Sequence, residues 1–597
     1  MKHVDPAVAP VQTAPPVDRQ SSGRVPPVRE WPECWPVSEQ RALAEWDPTC
    51  GLRGSIAEEA PLLCAPLVET VAFVSALRTT RVPRLHRAVR AVLGAVQQTG
   101  TPYWEWTDAA WASAIDSDPP ASLRTASLAY VLCGFSDLQR LDARVWPANL
   151  AKAAFGRAFD RSLARVLDTL VGLGYTSSSL RGRASPTLAA VVLETRSAHL
   201  EEIDEACLWR VYERYGVERK HVCQLSQALC ALGVLQDPIR MRTYTLYDAK
   251  DSGRVPPEWA ALCQRWRATS TLAPQTRETT YSFALRVGVW LAAIHPGIRQ
   301  PGDWTVDTCV DFLAAVRDLA VGEWSLGEPD GGGRPMRPNS KRALLYAVRR
   351  FFRDVEGWGW ERLRFNPAYH LATPKSILQL AGPNPRDVDE AVWIRLVWAS
   401  LHLGPGDLIS QTWYPIEMLR AMAVVWTHAG LRQNEIQRLR VGCAQPQTEP
   451  LVDDESGQAV PPGTLCYLRV PASLKSGGQV KPVQAAVLEA VRAWEAVRPE
   501  QPLVTDPKTG ERVRYLFQYR GRRTGGSLLG RTVIPMLCHK AGVPEEDSRG
   551  RITSHRARAS AATMLINAVD GLSLPQLMEW LNPVSYTHLT LLTIYSV

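Results

Sequence analysis

With 597 residues, 45% of them hydrophobic and 21% charged, the chain has a globular composition and predicts roughly three or four domains. It has no run of about 18 apolar residues and no basic-then-apolar leader, so we expect a cytoplasmic protein with no membrane-spanning helix and no secretion signal. The net charge of +8 is uneven, since residues 506–558 hold 12 Lys and Arg against 5 Asp and Glu. Such a segment is either a solvated surface or a site for a polyanion.

Residues 1–35 are rich in proline and poor in large apolar side chains, which predicts a disordered arm. From 36 to 255 the pattern is helical. Residues 85–93 and 162–170, for example, repeat apolar side chains at spacings of three and four. No motif with a mechanism occurs in this region, and its role is not indicated by the sequence.

Residues 260–375 predict a small helical domain. One helix face is formed by Phe283, Val287, Trp290, Leu291 and Ile294. A second helix is predicted over 340–355, with these side chains facing inward: Leu344, Leu345, Val348, Phe351 and Phe352. Its outer face is basic: Lys341, Arg342, Arg349, Arg350 and Arg353. A basic face is typical of a solvated helix and also of a DNA-binding helix. Residues 328–335 predict a loop.

Residues 372–390 predict a linker, and a mostly helical domain follows over 390–583. One helix is marked by Ile416, Leu419, Ala423 and Trp426 and ends near Gly430. Another covers residues 434–440. Residues 465–470 and the stretch through Val480 and Val483 predict a β-hairpin, with Lys475 opening its glycine turn.

Four side chains of this last domain have the chemistry needed to hold and break a phosphodiester: Arg432, Lys475, His555 and Arg558. The planar fork of arginine binds phosphate oxygens in pairs, and donors placed there stabilise the charge that develops in the transition state. A lysine can protonate the leaving oxygen, and histidine can exchange a proton near neutral pH. Glu435, one helical turn after Arg432, would orient that arginine.

The sequence does not favour a metal site. The acidic run 453–455 lies between turn residues and is expected to be a solvated loop, so no cofactor or metal is predicted for the phosphodiester chemistry. The 12 cysteines contain no C-x-x-C pair. Cys223 and Cys230 near His221 are a weak metal pattern, and we expect them to be buried free thiols.

These motifs, in their order and spacing, resemble the tyrosine recombinases or phage-type integrases over residues 260–581. Ala429-Gly-Leu-Arg432-Gln-Asn-Glu435 resembles the first arginine motif of that family, and His555-Arg-Ala-Arg558 its H-x-x-R box. Lys475 matches the hairpin lysine, and Val480-Lys-Pro-Val483 its return strand. The stretch 346–352 followed by Phe365-Asn-Pro-Ala368 resembles the end of the core-binding domain. The long N-terminal extension is most similar to the transposon-encoded branch.

The resemblance implies a mainly α DNA breaking-rejoining fold. It has a helical SAM-like core-binding domain over 260–375 and a mostly helical catalytic domain with a small β-hairpin or sheet over 390–583. It implies a bacterial, DNA-associated integrase or recombinase of a mobile element. The enzyme would cut and rejoin duplex DNA through a 3′-phosphotyrosyl intermediate without ATP or metal. Its expected partners are double-stranded DNA, further copies in a synaptic tetramer and companion recombinases. Further DNA contacts are expected from Arg349, Arg350, Arg353, Arg522 and Arg523.

The family pattern breaks near the C-terminus. The nucleophilic tyrosine is expected nine residues after a second histidine, whose position here holds Pro583. Nine residues further on lies Leu592, while Tyr586 is too early and Tyr595 too late. Trp580 is expected to be a core residue of the final helix, with the alternative that it replaces that histidine.

Residues 584–597 contain no Ala, Arg or Pro and resemble translated sequencing-adapter DNA, so we expect a non-native tail. The natural protein is then expected to continue past Leu581 to a tyrosine. Resequencing the locus tests this expectation, and a stop codon directly after Val597 would contradict it. Two alternatives remain open. One is an accessory DNA-binding protein without catalysis, and the other is a type IB topoisomerase, which the A-G-L-R motif and core-binding domain disfavour.

Overall fold

The computed structural model describes residues 23–48, 56–76, 83–135, 147–239, 254–326, 333–381, 387–408, 412–452, 459–472, 477–547, 549–568 and 572–581. The mainly helical fold with small antiparallel sheets, expected from the sequence, is confirmed. The chain forms two compact units. Unit 1 combines the residues before 242 with those after 385, and unit 2 comprises residues 242–385. No helix among the described residues is both long and apolar enough to cross a membrane.

The N-terminal part of unit 1 is a bundle of helices. Helix 157–172 shows why they form: its buried Phe159, Leu163, Val166 and Leu170 recur at three and four residues and cover one face. The helices are α1 Val37–Glu45, α2 Ile56–Glu59, α3 Pro61–Ala76, α4 Pro83–Thr99, α5 Asp108–Asp116, α6 Ser122–Cys133, α7 Pro147–Phe155, α8 Arg157–Gly172, α9 Leu180–Thr195, α10 Glu205–Tyr215 and α11 Arg219–Ala231.

Residues 1–35 were predicted to be a disordered arm, but the second half of this segment packs on the helices of the bundle. Arg24 forms a β-bridge with Ser197, and Val25 and Trp35 are buried. Trp31 stacks on Trp104 with ring centroids 5.0 Å apart. Residues 24–35 therefore pack on the bundle, because their few large apolar side chains find partners there. The arm before Gly23 lies outside the described residues.

Unit 2 is a compact helical unit built around an aromatic core. Its helices are α12 Pro257–Thr269, α13 Pro274–Ile294, α14 Val306–Asp318, α15 Pro338–Gly357, α16 Pro367–His370 and α17 Lys375–Leu380. The five apolar side chains predicted to face inward on α15 are all buried. The core also contains Trp259, Trp266, Trp290, Trp304 and Phe312.

Three details of unit 2 differ from the sequence-based expectation. Lys341, expected on the outer face of α15, is only 8% exposed because its ammonium donates a hydrogen bond to the Arg317 carbonyl. Ile294, expected inside, is 59% exposed because it is the last residue of α13. Part of the predicted linker is helix α17, which buries Ile377. Most of the predicted loop 328–335 lies outside the described residues.

In the C-terminal part of unit 1, the described residues form seven helices and several short strands. The helices are α18 Glu390–Leu401, α19 Ile416–His428, α20 Gln433–Arg438, α21 Ala485–Val497, α22 Ile534–Ala541, α23 Ser554–Asn567 and α24 Leu574–Leu581. The strands are β1 Ala444–Pro446, β2 Leu451–Val452, β3 Ala459–Val460, β4 Leu465–Val470, β5 Gln479–Gln484, β6 Val504–Thr505, β7 Arg512–Val513, β8 Gln518–Tyr519, β9 Arg522–Arg523, β10 Glu546–Asp547 and β11 Gly550–Arg551.

The predicted hairpin forms the main sheet of this part. Strand β4 pairs antiparallel with β5, from Leu465 opposite Gln484 to Val470 opposite Gln479, and β1 pairs with the other edge of β4. Alternate side chains of a strand face opposite sides of its sheet. Cys466, Leu468 and Val483 are accordingly buried on one face. A lysine, Lys481, occupies the same buried face.

The two sequence-distant parts of unit 1 share a core. Val504, Val513 and Tyr515 belong to the same apolar cluster as helices α1–α11. The turn after α8 is held by several hydrogen bonds from the C-terminal part. The Leu173 carbonyl accepts from the Arg520 backbone N–H at 3.1 Å, and the Gly174 carbonyl accepts from the Tyr519 hydroxyl at 3.0 Å. The N-terminal region is therefore an integral part of this unit.

Gly174 offers a test of this junction. Its φ is +99°, and a Cβ placed there would lie 2.6 Å from a carbon of the Tyr519 ring. We expect Gly174→Ala to lower the free energy of unfolding by about 1–3 kcal/mol, from backbone strain and the clash. Gly182→Ala, within α9 and with open space around it, is the control and should be neutral or slightly stabilising. Urea unfolding of both variants makes the comparison, and equal stability would contradict a tight junction.

Candidate active site

Arg432 and Glu435 form the first half of the site at the start of α20. The Arg432 guanidinium donates to Glu435 Oε1 at 2.6 Å, and the Arg432 backbone N–H donates to Glu435 Oε2 at 2.8 Å. The carboxylate is buried, whereas the Arg432 side chain is 27% exposed. Glu435 therefore fixes both the backbone and the side chain of Arg432 and leaves the guanidinium open on one side.

Arg558, on α23, joins this pair from a distant part of the sequence. Its Nη1 donates to the Gly430 carbonyl at 3.0 Å and lies 3.9 Å from Glu435 Oε2, and its Nη2 donates to the Leu581 carbonyl. Burial, with Arg432 adding to it, lowers the pKa of Arg558 to about 10, so the side chain is still charged at neutral pH. Two guanidinium groups share one carboxylate, and the remaining positive charge suits an anion.

The start of α23 is aligned with α20 by polar contacts. Ser554 Oγ donates to Gln433 Oε1 at 2.8 Å, and the Gln433 amide donates to the Gly526 carbonyl. The Ser554 carbonyl accepts from Trp426 Nε1 at 3.2 Å. Arg556, between the two predicted site residues of α23, is buried and paired with Asp547. Arg556 thus anchors the helix and is not part of the open cluster.

A fully buried ion pair holds the other end of α20. Arg438 and Asp506 are both 0% exposed, and Arg438 donates to Asp506 Oδ2 from Nε at 2.9 Å and from Nη2 at 2.6 Å. Burial alone would raise the pKa of Asp506, but the hydrogen bonds and charge of Arg438, together with the hydrogen bond from the Lys508 backbone N–H, hold that pKa below its usual value. This pair connects α20 to the segment that follows β6.

Lys481 is a further basic residue near Arg432 and Arg558, and sequence reasoning missed it. Its side chain is 1% exposed, and its ammonium nitrogen is buried with no hydrogen-bond partner. The nitrogen lies 3.3 Å from the centroid of the Trp580 ring. The alternation of buried side chains along β4 and β5 could have identified this inward-facing lysine.

Trp580 covers the site from α24. Its Nε1 donates to the Pro482 carbonyl at 3.2 Å, and its ring lies so close to Gly430 that a Cβ there would be 2.9 Å away. Gly430 has a φ of +55°, a backbone conformation that favours glycine. The positive φ and the lack of space for a Cβ both require glycine at this position. Trp580 is therefore more than a core residue of the final helix: it contacts the segment that precedes Arg432.

The other predicted members of the site are placed as follows. His555 is exposed, one helical turn before Arg558 on α23. Lys475, Tyr586, Tyr595 and the acidic run 453–455 lie outside the described residues. The structure thus brings Arg432, Glu435 and Arg558 into contact and puts His555 on the adjoining helix.

The arginines predicted to bind DNA fall in both units and have different environments. In unit 2, Arg353 is exposed, Arg350 is paired with Asp354 at 2.8 Å, and Arg349 donates to Thr373 Oγ1 at 3.4 Å. Arg349 also lines an open groove of about 670 Å³ with Arg342, Tyr346, Asn339, Thr276 and Thr279. Guanidinium and hydroxyl groups side by side are donors for phosphate oxygens.

In unit 1, Arg522 is exposed and lies 5.2 Å from the Trp413 ring centroid, whereas Arg523 is partly buried, 5.3 Å from the Tyr515 ring centroid. The basic excess of residues 506–558 is partly compensated by acids from other segments. These ion pairs are Arg512–Asp237, Lys540–Asp407 and Arg549–Asp387. The basic excess counted from the sequence therefore overstates the uncompensated positive charge of this segment.

No group of three or more His, Cys, Asp and Glu side chains that could hold a metal occurs in the part of the chain that the structure describes. Cys230 is buried, and burial raises its pKa to about 11. This agrees with the expectation of a buried thiol for Cys230, whereas Cys223, which was expected to be buried as well, is only partly buried.

Searches of known protein families and of curated proteins returned no match. Among solved structures, residues 82–397 of the Tn1549 transposon integrase, in complex with circular intermediate DNA, are 14% identical with a TM-score of 0.33. This match covers 55% of this chain and 93% of that one. The same integrase with transposon right end DNA is 15% identical, with a TM-score of 0.36, covering 56% and 94%. The chain is thus similar to a transposon integrase over about half of its length.

Proposed function

We propose that this protein is a DNA recombinase or integrase of the tyrosine recombinase family, which holds a phosphodiester of duplex DNA between Arg432 and Arg558. The observation that carries the proposal is the convergence of these two guanidinium groups on the buried carboxylate of Glu435. Two guanidinium groups that share one carboxylate leave a net positive charge, and a phosphodiester anion would neutralise it.

The proposed chemistry assigns a role to each side chain. Arg432 and Arg558 stabilise the charge on the non-bridging oxygens, and Glu435 keeps Arg432 oriented. His555 exchanges a proton near the phosphate, and Lys475 protonates the leaving 5′ oxygen. A tyrosine would attack phosphorus, form a 3′-phosphotyrosyl bond and release a 5′ hydroxyl, which later reverses the step. Exposed Arg353 and Arg522 would contact the DNA backbone, as would Arg349, Arg350 and Arg523 if their present partners release them.

The expected result for the 597-residue chain is DNA binding without a covalent product, because no tyrosine stands at the required spacing. The measurement uses nicked suicide duplexes made from the DNA that flanks the gene, resolved on a denaturing gel. If resequencing of the locus shows a longer chain with a tyrosine at that spacing, the extended chain should give a covalent band. Arg558→Ala in that extended chain should weaken the band by roughly 10²–10³-fold.

Exposed Arg551, which is paired with Glu545 outside the cluster, provides the control, and Arg551→Ala should leave the band unchanged. A covalent band from the 597-residue chain that is abolished by Tyr586→Phe would refute our placement of the nucleophile. If the extended chain binds DNA but never forms the adduct, the second candidate is favoured. That candidate is an accessory DNA-binding protein without catalysis, consistent with Leu592 at the tyrosine position.

A further inference from the structure

Lys481 is the one residue of the cluster to which the proposed chemistry gives no role. It lies on β5 opposite Leu468 and shares the buried face with Cys466 and Val483. Strands normally place apolar side chains on such a face, and a buried ammonium without a partner is costly. Its presence there calls for a compensating interaction that the free protein does not supply.

The groups that face Lys481 come from three other elements. Arg558 lies on α23, and Arg432 and Glu435 lie at the start of α20, while α24 contributes the Trp580 ring. Burial, together with repulsion from Arg558 and Arg432, lowers the pKa of Lys481 well below its usual value, and Glu435 only partly opposes this. Lys475, on the same hairpin, lies outside the described residues.

The charges of this cluster explain how the amine and an anion are coupled. When the Lys481 amine is neutral, the charges of Arg432, Arg558 and Glu435 sum to +1. A phosphodiester anion would cancel that charge and remove most of the repulsion that disfavours an ammonium at Lys481. Opposite charge nearby favours the protonated form of an amine, so an anion bound to the two arginines promotes protonation.

We infer that Lys481 is a positioning residue of the phosphate site, which takes up a proton from solvent when a DNA phosphodiester occupies Arg432 and Arg558. The inference rests on the proposed function and goes beyond it, because it couples DNA binding to proton uptake. The added positive charge then lies beside the phosphate before negative charge increases on its oxygens in the transition state.

The test is calorimetric titration of the full chain with a duplex DNA of mixed sequence, in two buffers of different ionisation enthalpy. Wild-type protein should take up as much as about one proton per bound chain, so its affinity should fall by up to about tenfold per pH unit on the alkaline side. Lys481→Met should lose this uptake and bind more weakly. Lys481→Arg, which is always charged, should lose the uptake but keep its affinity across pH.

His555→Gln removes the contribution of the histidine of the site, and the uptake due to Lys481 should persist in this variant. Lys540→Met, outside the cluster and paired with Asp407, is the matched control and should behave like wild type. Thermal unfolding confirms that each variant is folded. If Lys481→Arg does not fold, the comparison of wild type with Lys481→Met still decides the test.

The outcomes are distinguishable. Wild-type binding with a proton uptake that Lys481→Met leaves unchanged would overturn this inference alone. If the wild type does not bind duplex DNA at all, the proposed function fails and this inference fails with it.

Discussion

Asp506→Asn is expected to lower the free energy of unfolding by about 3–5 kcal/mol, because it removes one partner of a fully buried ion pair. Arg438 would keep its charge at a position that is closed to solvent and would lose the carboxylate that compensates it. Asparagine is nearly the same size, so the loss reports on charge and hydrogen bonding, with little change in volume. Urea unfolding near neutral pH provides the measurement.

The effect should depend on pH in a defined direction. Because the pKa of Asp506 is lower in the folded protein, its contribution to stability is complete above the unfolded value of about 4 and is lost as the pH falls through the folded value. The difference between wild type and Asp506→Asn should therefore shrink in acid. Glu511→Gln, which breaks the exposed pair with Arg440, is the control and should lower the free energy of unfolding much less, because solvent screens an exposed ion pair. A loss of similar size in both variants would contradict a dominant role of the buried pair.

Lys481→Met should raise the free energy of unfolding by about 2–4 kcal/mol, because an apolar side chain of similar length replaces a buried amine without a hydrogen-bond partner. The contact with the Trp580 ring offsets only part of the cost of burying the amine. If Lys481→Met is more stable but binds DNA more weakly, the natural lysine lowers the stability of the protein and favours DNA binding.

As in the Asp506 case, wild-type stability rises with pH, but here the rise reduces the advantage of the variant. The unfolded chain binds a proton at Lys481 more readily than the folded protein, so wild-type stability rises with pH up to the unfolded pKa of about 10.4. The advantage of Lys481→Met should therefore be largest in acid and decline toward alkaline pH. Thermal unfolding across this range measures it, with Lys540→Met as the surface control. A destabilised Lys481→Met would mean that the amine has a stabilising partner in the free protein.

Much of the helical architecture could be predicted from periodicity. Helices α13, α15 and α19 appear where apolar side chains recur at three and four residues, and the β4–β5 hairpin appears where two alternating runs flank a glycine turn. These patterns depend only on residues that are close in sequence. They can therefore be recognised without knowing which segments pack together in the folded protein. The outward position expected for Lys341 was wrong because a carbonyl on another helix accepts its hydrogen bond.

Three of the residues predicted for the site lie in contact in the structure, but the full composition of the cluster was not predictable. Arg432, Glu435 and Arg558 were expected together, and the structure places them in contact. Lys481 and Arg438 were missed because charged residues are ordinarily solvated, and only tertiary packing shows that these two are buried. The distribution of basic residues over 506–558 likewise could not reveal that Asp237, Asp387 and Asp407 neutralise several of them.

The core shared between helices α1–α11 and residues Val504, Val513 and Tyr515 has a consequence for synthesis on the ribosome. The N-terminal helices emerge first, yet the side chains that complete their core come from a segment translated much later. Contacts between residues so far apart in sequence form slowly, and the incomplete core exposes apolar surface in the meantime. The nascent chain therefore has a long interval in which chaperones, rather than its own C-terminal part, must cover that surface.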